Sequence, residues 1–491
     1  MGRYHPQGQH QATMKNMKPD KINTDASPAA GAVAALIARA RTAQAAIDAY
    51  GQEQADMLAS AAGWAIMEPA RNRRLAERAV ADTGLGNVED KVTKNHRKTL
   101  GLLRDLNGAR SVGVIAEDPA TGITEIARPV GVVCAITPST NPGATPANKI
   151  INALKGRNAV IIAPSPKGWS TCELLLQFVH AELDKIDAPR DLVQVLPNPV
   201  TKEATHELMR QADLIVATGS QANIRAAYSS GTPAFGVGAG NVASIVDASA
   251  DLDDAAAKIA RSKTFDNATS CSSENSLVID AGVYDGMIAA LTLTGGVMLG
   301  VADKQRLERA LWPGGKLSAT LIAQAAPHIA QAAGLGEPQA AHARFLMVEE
   351  DGFGRGHPFS GEKLAPVLTV YRARDFAHAA EIVSRIYAYQ GAGHSVSLHS
   401  RDSGQALRLG TSLKVSRVIV NQAHCIATGG SFDNGLPFSL SMGCGTWGGN
   451  SFSDNMTYRN YLNITRIARP IPERVPSVED VLGAYLERYG A

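Results

Sequence analysis

The sequence predicts an α/β fold with two parallel-sheet domains. From residue 129 onward, short apolar runs alternate with helical segments, and a second series of the same kind begins after residue 241. This alternation is typical of βαβ units, whose strands lie parallel in one sheet. Because the chain has 491 residues, it is also too long for a single hydrophobic core.

The part of the chain before these two series is expected to be mostly helical. Residues 1–28 lack a regular apolar pattern and predict a disordered lead. Residues 29–106 are rich in alanine and carry apolar residues at helical spacing, which predicts several packed helices. Alternating residues on both sides of a turn at 117–122 predict a hairpin over 111–127.

The two series give the elements of the sheets. The first predicts strands over 130–136, 159–163, 192–196 and 214–217, and helices over 146–154, 170–183 and 202–210. The second predicts strands over 244–246, 276–279, 345–348, 367–371 and 415–420, and a helix over 376–387. The last fifty residues are Gly-rich and then polar, and they end in a predicted helix over 477–489 with Ser477 as its N-cap.

Composition narrows the functional classes. A formal net charge of +2 gives no electrostatic reason to expect a nucleic acid or an acidic membrane surface as partner. The N-terminus lacks the apolar core of a signal peptide, and no apolar run reaches the length of a membrane span. Five cysteines, with no CxxC pair and no zinc-ligand spacing, argue against a disulfide framework or a metal site. We expect a cytoplasmic protein that binds no metal.

Cys271 is the first candidate for chemistry. It lies in the segment TFDNATSCSSEN, where small polar residues replace the apolar packing of a buried structural cysteine, the alternative interpretation. Backbone N–H groups of such a loop can stabilise a thiolate or an oxyanion. Cys444 competes for the same role, but it is flanked only by glycines and has nothing nearby to act as a base.

Two turns that follow predicted strands could bind ligands. Asn141 follows the strand at 130–136, and its amide could donate to an oxyanion, although a turn asparagine before proline is also common. Gly219 and Ser220 end the strand at 214–217 and open a helix, so backbone N–H groups there could hold a pyrophosphate. An ordinary helix N-cap is the alternative, since the segment lacks the GxGxxG pattern.

Three further segments could line a site. Residues 235–241 (FGVGAGN) contain three glycines, which permit a close approach or simply form a structural loop. Glu362 precedes a predicted strand and could hold ribose hydroxyls, or be a solvated charge. Residues 442–451 (MGCGTWGGNS) are dense in glycine around one tryptophan, as expected of a loop close to a site.

These segments, taken in chain order, resemble the acylating, coenzyme A-dependent branch of the aldehyde dehydrogenase superfamily. The resemblance extends from Ala29 to the C-terminus, and several segments, such as SGTPAFGVGAGN, are similar to members that act on sulfoacetaldehyde. It implies an aldehyde dehydrogenase-like α/β fold: two Rossmann-like parallel-sheet domains plus a small oligomerisation hairpin. The implied parts are a nucleotide-binding domain (29–240), a catalytic domain (241–440), and a Gly-rich loop with a C-terminal segment (441–491).

The resemblance also implies roles for residues. Cys271 would be the nucleophile, and Asn141 with the Cys271 N–H would stabilise the oxyanion. Gly219 and Ser220 would lie at the pyrophosphate of NADP or NAD, and Glu362 would hold the nicotinamide ribose. The full set of implied cofactor-binding residues is Thr137, Pro138, Ser165, Lys167, Gly219, Ser220, Gly238, Gly240 and Glu362.

Two departures from hydrolytic aldehyde dehydrogenases bear on cofactor and acceptor. Those enzymes carry Glu-Leu-Gly-Gly-Lys where this chain has residues 237–241 (VGAGN), so the glutamate that activates water is absent and coenzyme A is expected as acceptor. They also place a lysine and a glutamate where this chain has Ala163 and Pro166. Lys167 could attract a 2′-phosphate, which favours NADP without excluding NAD.

The expected reaction oxidises an aldehyde, best sulfoacetaldehyde, to its acyl-CoA. Acetaldehyde, succinate semialdehyde, a hydrolytic reaction and a non-catalytic scaffold are the alternatives. A sulfonate needs cationic groups or a helix N-terminus near the aldehyde tail, and His424 and the loop 428–432 are candidates by position. The expected partners are the aldehyde and coenzyme A, with no nucleic acid and no membrane. By resemblance, the hairpin and the C-terminal segment would pair subunits into a homodimer or homotetramer.

Overall fold

The computed structural model describes residues 27–238, 240–336 and 338–490. The predicted disordered lead therefore lies almost entirely outside the described residues. The described chain begins in a helix whose N-terminal N–H groups are capped by the Ser27 hydroxyl. Four helices open the fold, as predicted: α1 (Pro28–Ala46), α2 (Gln52–Met67), α3 (Pro69–Thr83) and α4 (Val88–Leu106).

The predicted hairpin follows these helices. Strands β1 (Gly113–Asp118) and β2 (Ile123–Pro129) pair antiparallel. The Asp118 carboxylate accepts from the Ala120 N–H at 2.9 Å, and Gly122 adopts a φ of 66°. An aspartate followed by a left-handed glycine is a common way to reverse a chain.

The first sheet contains five parallel strands in the order β5-β4-β3-β6-β7. All residues of β3 and β4 are buried, as expected for a sheet covered by helices on both faces. The last strand, β7, was predicted only as a Gly-rich loop. The elements are β3 (Val132–Thr137), α5 (Ala144–Lys155), β4 (Ala159–Pro164), α6 (Trp169–Asp184), β5 (Val193–Val195), α7 (Lys202–Gln211), β6 (Leu214–Thr218), α8 (Gln221–Tyr228) and β7 (Ala234–Val237).

The second sheet contains seven parallel strands in the order β10-β11-β12-β9-β8-β13-β14. Strands β10 and β13 were not predicted, and the strand predicted over 415–420 begins later. The elements are β8 (Val242–Val246), α9 (Leu252–Thr264), β9 (Glu274–Asp280), α10 (Tyr284–Leu293), β10 (Gly296–Met298), α11 (Val301–Leu311), α12 (Ala326–Ala333), β11 (Phe345–Glu349), β12 (Val367–Ala373), α13 (Phe376–Tyr389), β13 (Val396–His399), α14 (Ser403–Ser412), β14 (Val418–Val420) and α15 (His424–Ala427).

The C-terminal segment returns to the hairpin. Strand β15 (Leu462–Ala468) pairs antiparallel with β2, which gives a three-stranded sheet in the order β1-β2-β15. This strand was not predicted, because its residues read as polar. Helix α16 (Val478–Tyr489) follows, and the Ser477 hydroxyl accepts from the Asp480 N–H at 3.0 Å, as expected for the predicted cap. None of the described helices combines the length and apolar character needed to cross a membrane.

Candidate active site

The candidate residues collect where the two large sheets meet. In the first sheet the chain returns past β3 to form β6, so the strand order reverses between these two strands. Asn141 follows β3, and Gly219 follows β6, at the edge where open α/β sheets bind ligands. Residues of the second sheet approach from the opposite direction, because Cys271 lies just before β9 and Glu362 just before β12.

Cys271 lies beside a histidine. Its Sγ is 3.6 Å from Nε2 of His394, which lies just before β13. Burial raises the pKa of the Cys271 thiol well above its usual value, and the nearby Glu362 raises it further. Burial also lowers the pKa of His394 to about 3, so its ring is neutral and keeps one nitrogen unprotonated. The polar loop therefore does not hold a thiolate by itself, and His394 is the neighbouring group that lies within reach of the thiol proton.

The backbone before the cysteine takes an uncommon course. Asp266, Asn267 and Ala268 are left-handed, with φ values of 52°, 51° and 59°. Such conformations are costly for residues with a side chain and persist where contacts hold them. Here Asp266 is fully buried, and its carboxylate accepts hydrogen bonds from Lys91 at 3.1 Å and Lys94 at 2.5 Å. This buried ion cluster fixes the start of the Cys271 loop.

The same cluster orients Asn141. Lys94, on α4, donates from Nζ to Asn141 Oδ1 at 2.8 Å. Because the amide oxygen is occupied, the amide N–H groups of Asn141 are left to donate elsewhere. One lysine thus connects the predicted oxyanion donor to Asp266, which supports the loop of the predicted nucleophile.

Gly240 separates Cys271 from Glu362. A Cβ built on this glycine would lie 2.3 Å from the Cys271 carbonyl oxygen, so only glycine allows the two backbones to approach so closely. Burial raises the pKa of Glu362 to about 8, although the Gly240 N–H and Lys263 favour its charged form. Oxygen Oε1 of Glu362 is buried and has no hydrogen-bond partner among the described residues.

The other predicted cofactor residues lie along the carboxyl edge of the first sheet. Ser165 follows β4, and its N–H donates to the Thr137 carbonyl at 3.0 Å. Pro138 is half-buried next to Thr137, whereas Lys167 is exposed. The Thr137 hydroxyl is buried without a partner among the described residues.

The turns after β6 and β7 complete this edge. A Cβ built on Gly219 would meet no described atom within 4 Å, so its surface is open to a ligand. Ser220 is exposed and caps α8, accepting from the Asn223 N–H at 3.3 Å. A Cβ on Gly238 would lie 2.1 Å from the side chain of Gln221, which places this glycine at the start of α8.

The edge fits the nicotinamide dinucleotide that the resemblance implied. Two buried oxygen atoms lack partners, one on Thr137 and one on Glu362, and both could bond to hydroxyl groups. The open backbone at Gly219 and the N-terminus of α8 suit a pyrophosphate. The residues present therefore match the polar parts of NADP or NAD.

Two other candidates, Cys444 and His424, are buried. Cys444 is buried, its Sγ contacts the Met442 carbonyl, and burial raises its pKa to about 11. His424, considered for an anionic tail, is fully buried, and its Nδ1 lies 2.8 Å from the Ser272 carbonyl oxygen. Burial lowers the pKa of His424 to about 4, so it is a neutral core histidine without charge for a sulfonate.

Sequence reasoning missed two residues of the site. His394 lies in a GAGHS segment just before a strand that the sequence pattern does not predict, so no motif marks it as a site residue. A histidine beside two glycines and immediately before an apolar run is the signal that was available. Lys94 lies on α4 among other basic residues, and a lysine on a helix gives no sequence signal of burial.

The sequence matches a known family model. Residues 6–296 match the description "Aldehyde dehydrogenase family". The chain belongs to the aldehyde dehydrogenase family. A sulfoacetaldehyde dehydrogenase (acylating) from Cupriavidus necator is 68% identical over 465 residues, which cover 95% of this chain and 94% of the relative. A second protein of that name, from Bilophila wadsworthia, is 43% identical and covers 92% of this chain and 98% of its own length.

Solved structures of this aldehyde dehydrogenase family share the fold. An acetylating aldehyde dehydrogenase from Geobacillus thermoglucosidasius superposes with a TM-score of 0.87 at 33% identity, covering 91% of this chain and 98% of that one. The predicted α/β fold and the predicted resemblance to acylating aldehyde dehydrogenases, including those acting on sulfoacetaldehyde, are therefore confirmed.

Proposed function

We propose that this protein oxidises sulfoacetaldehyde with NADP or NAD and transfers the acyl group to coenzyme A, giving sulfoacetyl-CoA. The carrying observation is the 3.6 Å contact between Cys271 Sγ and His394 Nε2. A nucleophile within reach of a neutral base is the arrangement that covalent acyl transfer needs. The 68% identity to an acylating sulfoacetaldehyde dehydrogenase supports the choice of substrate and acceptor.

In the first half of the reaction, Cys271 attacks the aldehyde carbon. His394 takes the thiol proton as the carbon–sulfur bond forms, since burial keeps the resting thiol protonated. The Nδ1 atom of His394 lies 2.6 Å from the Ser395 hydroxyl, which fixes the orientation of the ring. The Asn141 amide, oriented by Lys94, donates to the oxygen that gains negative charge.

When bound, NADP or NAD accepts the hydride that leaves the former aldehyde carbon. Glu362 would hold the ribose next to the nicotinamide. The Thr137 hydroxyl, at the edge of the first sheet, would bond to another hydroxyl group of the cofactor. Gly219 and Ser220 would face the pyrophosphate, with Lys167 at the exposed end of the site. The acyl group then remains on Cys271 as a thioester.

In the second half, the thiol of coenzyme A replaces Cys271 on the acyl carbon. His394, once it has released the first proton to solvent, is placed to take the proton of the incoming thiol and to pass it to the Cys271 sulfur as the bond between that sulfur and the acyl carbon breaks. Val237 stands where hydrolytic relatives carry the water-activating glutamate, and it is buried in β7. Water therefore has no carboxylate there to activate it.

The test measures NAD(P)H formation from sulfoacetaldehyde with and without coenzyme A, together with the acyl product by mass spectrometry. We expect sustained turnover only with coenzyme A, and none for Cys271→Ser. Cys444→Ser is the matched control, because its sulfur is buried, donates to the Met442 carbonyl and has a pKa that burial raises to about 11. Undiminished turnover without coenzyme A would refute the acylating reaction. Full activity of Cys271→Ser would refute the nucleophile.

A homodimer or homotetramer and a cytoplasmic location belong to the same proposal. Helix α16 has no buried residue, and it exposes Val481, Leu482 and Tyr485 on a helix that a second copy could cover. The five free cysteines suit a reducing compartment. Light scattering on the full chain and on a chain ending at residue 470 measures the number of subunits per particle. The same number of subunits after truncation contradicts a role for α16 in assembly.

A further inference from the structure

A cavity of about 350 Å³ opens beside the reacting residues. Asn141 and Ser270, the residue before the nucleophile, form part of its wall. Phe265 and Leu440 add apolar surface, and α4 forms one side. Because the predicted oxyanion donor faces this space, an aldehyde bound for attack at Cys271 would extend its tail into it.

The wall of this cavity is strongly basic. It carries one acidic residue, Asp90, against five basic ones. Lys94 is already committed to the Asp266 carboxylate. The other four basic residues have no ion-pair partner in the described part of the chain, and they are Arg97, Lys98, Arg261 and Arg344.

Lys98 is the most constrained of these cations. Among the described residues, its Nζ donates to three backbone carbonyl oxygens, at 2.9 Å to Gly429, 3.1 Å to Gly430 and 3.3 Å to Ile426. Burial lowers its pKa to about 7, and the nearby cations Arg97 and Lys94 lower it further against the opposing effect of Cys425. A buried ammonium without a counter-ion is stabilised by any anion that enters the cavity.

Arg97 lies next to Lys98 with donor capacity to spare. Its Nη2 donates to the Ser431 hydroxyl at 2.6 Å, and its guanidinium lies 4.9 Å from the Phe432 ring centre. Its Nε is buried without a partner among the described residues. The loop 428–432, expected from sequence to bind the tail, instead positions the two cations that face it.

We propose that Lys98 and Arg97 bind the sulfonate group of the aldehyde and set the preference for it. This rests on the proposed oxidation of sulfoacetaldehyde at Cys271. Lys98 follows Lys94 by four residues, a rise of about 6 Å along α4, and Lys94 binds Asn141. Only one carbon separates the aldehyde carbon from the sulfur, so an aldehyde with its carbonyl at Asn141 keeps its sulfonate within the cavity that Arg97 and Lys98 also line. Arg97 offers an N–H without a partner among the described residues, and Lys98, whose three N–H groups donate to carbonyls, contributes its positive charge to binding the sulfonate oxygens.

The test compares kcat/KM for sulfoacetaldehyde and for propionaldehyde, in which an uncharged methyl group replaces the sulfonate, at saturating coenzyme A. For Lys98→Met and Arg97→Gln we expect a loss of about 10-fold to 100-fold with sulfoacetaldehyde, the range of hydrogen bonds to charged groups, and a change within threefold with propionaldehyde. Lys98→Arg should recover part of the loss. Lys258→Met, on the exposed part of α9, is the matched control and should change neither value.

Ethanesulfonate carries the sulfonate but no aldehyde group, so its inhibition constant reports binding at the sulfonate site without any reaction at Cys271. It should compete with sulfoacetaldehyde in the wild-type enzyme and lose this inhibition in Lys98→Met. Equal losses for both aldehydes, or no loss for either, would overturn the assignment of the sulfonate site. A wild-type enzyme without coenzyme A-dependent turnover of any aldehyde would instead refute the proposed function. Succinate semialdehyde preferred over sulfoacetaldehyde would mean that the cations bind a longer carboxylate.

Discussion

Replacing Gly240 with alanine should displace the nucleophile. The new Cβ would lie 2.3 Å from the Cys271 carbonyl oxygen, whereas ordinary contacts begin at 3.4 Å. The contact therefore forces a shift of roughly 1 Å, and a misplacement of that size at a reacting group costs on the order of 100-fold in rate. The neighbour is backbone rather than a flexible side chain, so the loop that carries Cys271 must move.

The assay is kcat/KM for sulfoacetaldehyde with coenzyme A, together with the rate of Cys271 alkylation by iodoacetamide. We expect a loss of about 100-fold in kcat/KM. The free energy of unfolding should fall by no more than the cost of overpacking, about 1–3 kcal/mol. Gly410→Ala is the control, because its Cβ would meet only Val418, at 3.9 Å. A Gly240→Ala enzyme within twofold of wild type would refute the reasoning.

Three further substitutions probe the same site. Lys94→Met should lower kcat about 10-fold to 100-fold for every aldehyde with little change in KM, because Asn141 loses its orientation, and saturation kinetics would measure this. His394→Ala should lower kcat/KM about 10²–10⁴-fold at neutral pH. The remaining rate of this variant should rise with pH, because the Cys271 thiol then ionises without a base. A flat pH profile would contradict this role of His394. Burial raises the pKa of Glu362 to about 8 in the folded protein, above its unfolded value. The unfolded state therefore loses this proton first as pH rises, and the stability of the wild type declines toward pH 8. Glu362→Gln should unfold at a higher temperature than wild type at pH 8 but not at pH 5.

The predictable part of the fold is the part with local apolar patterning. Strands β3 and β4 are continuous buried runs, and their predicted positions differ from the structure by at most two residues. Strand β7 was missed because Gly236, whose Cβ would lie 2.8 Å from the Ile224 side chain, makes the segment look like a loop. Strand β15 was missed because exposed residues dominate it and its pairing with β2 joins segments more than three hundred residues apart.

The predictable part of the site is the part set by residue type and neighbours. Cys271 and Asn141 stand in loops next to strands, and the sequence alone is enough to predict a nucleophile and an oxyanion donor there. His394 gave no such signal, because its meaning depends on a contact with a cysteine 123 positions away. The roles of Lys94 and Lys98 depend on burial, which a helix rich in basic residues does not reveal.

The sequence by itself determined the family and the parallel-sheet architecture, and it predicted Cys271 as the nucleophile, since these follow from order, spacing and residue type along the chain. Only the tertiary structure shows which group contacts Cys271 and which cations line the neighbouring cavity. Burial keeps the Cys271 thiol protonated and His394 neutral, so proton transfer depends on their separation. Burial also leaves Lys98 without an ion-pair partner in the described part of the chain, and packing of α4 against the 426–430 segment brings its charge into the wall of the cavity that Asn141 lines.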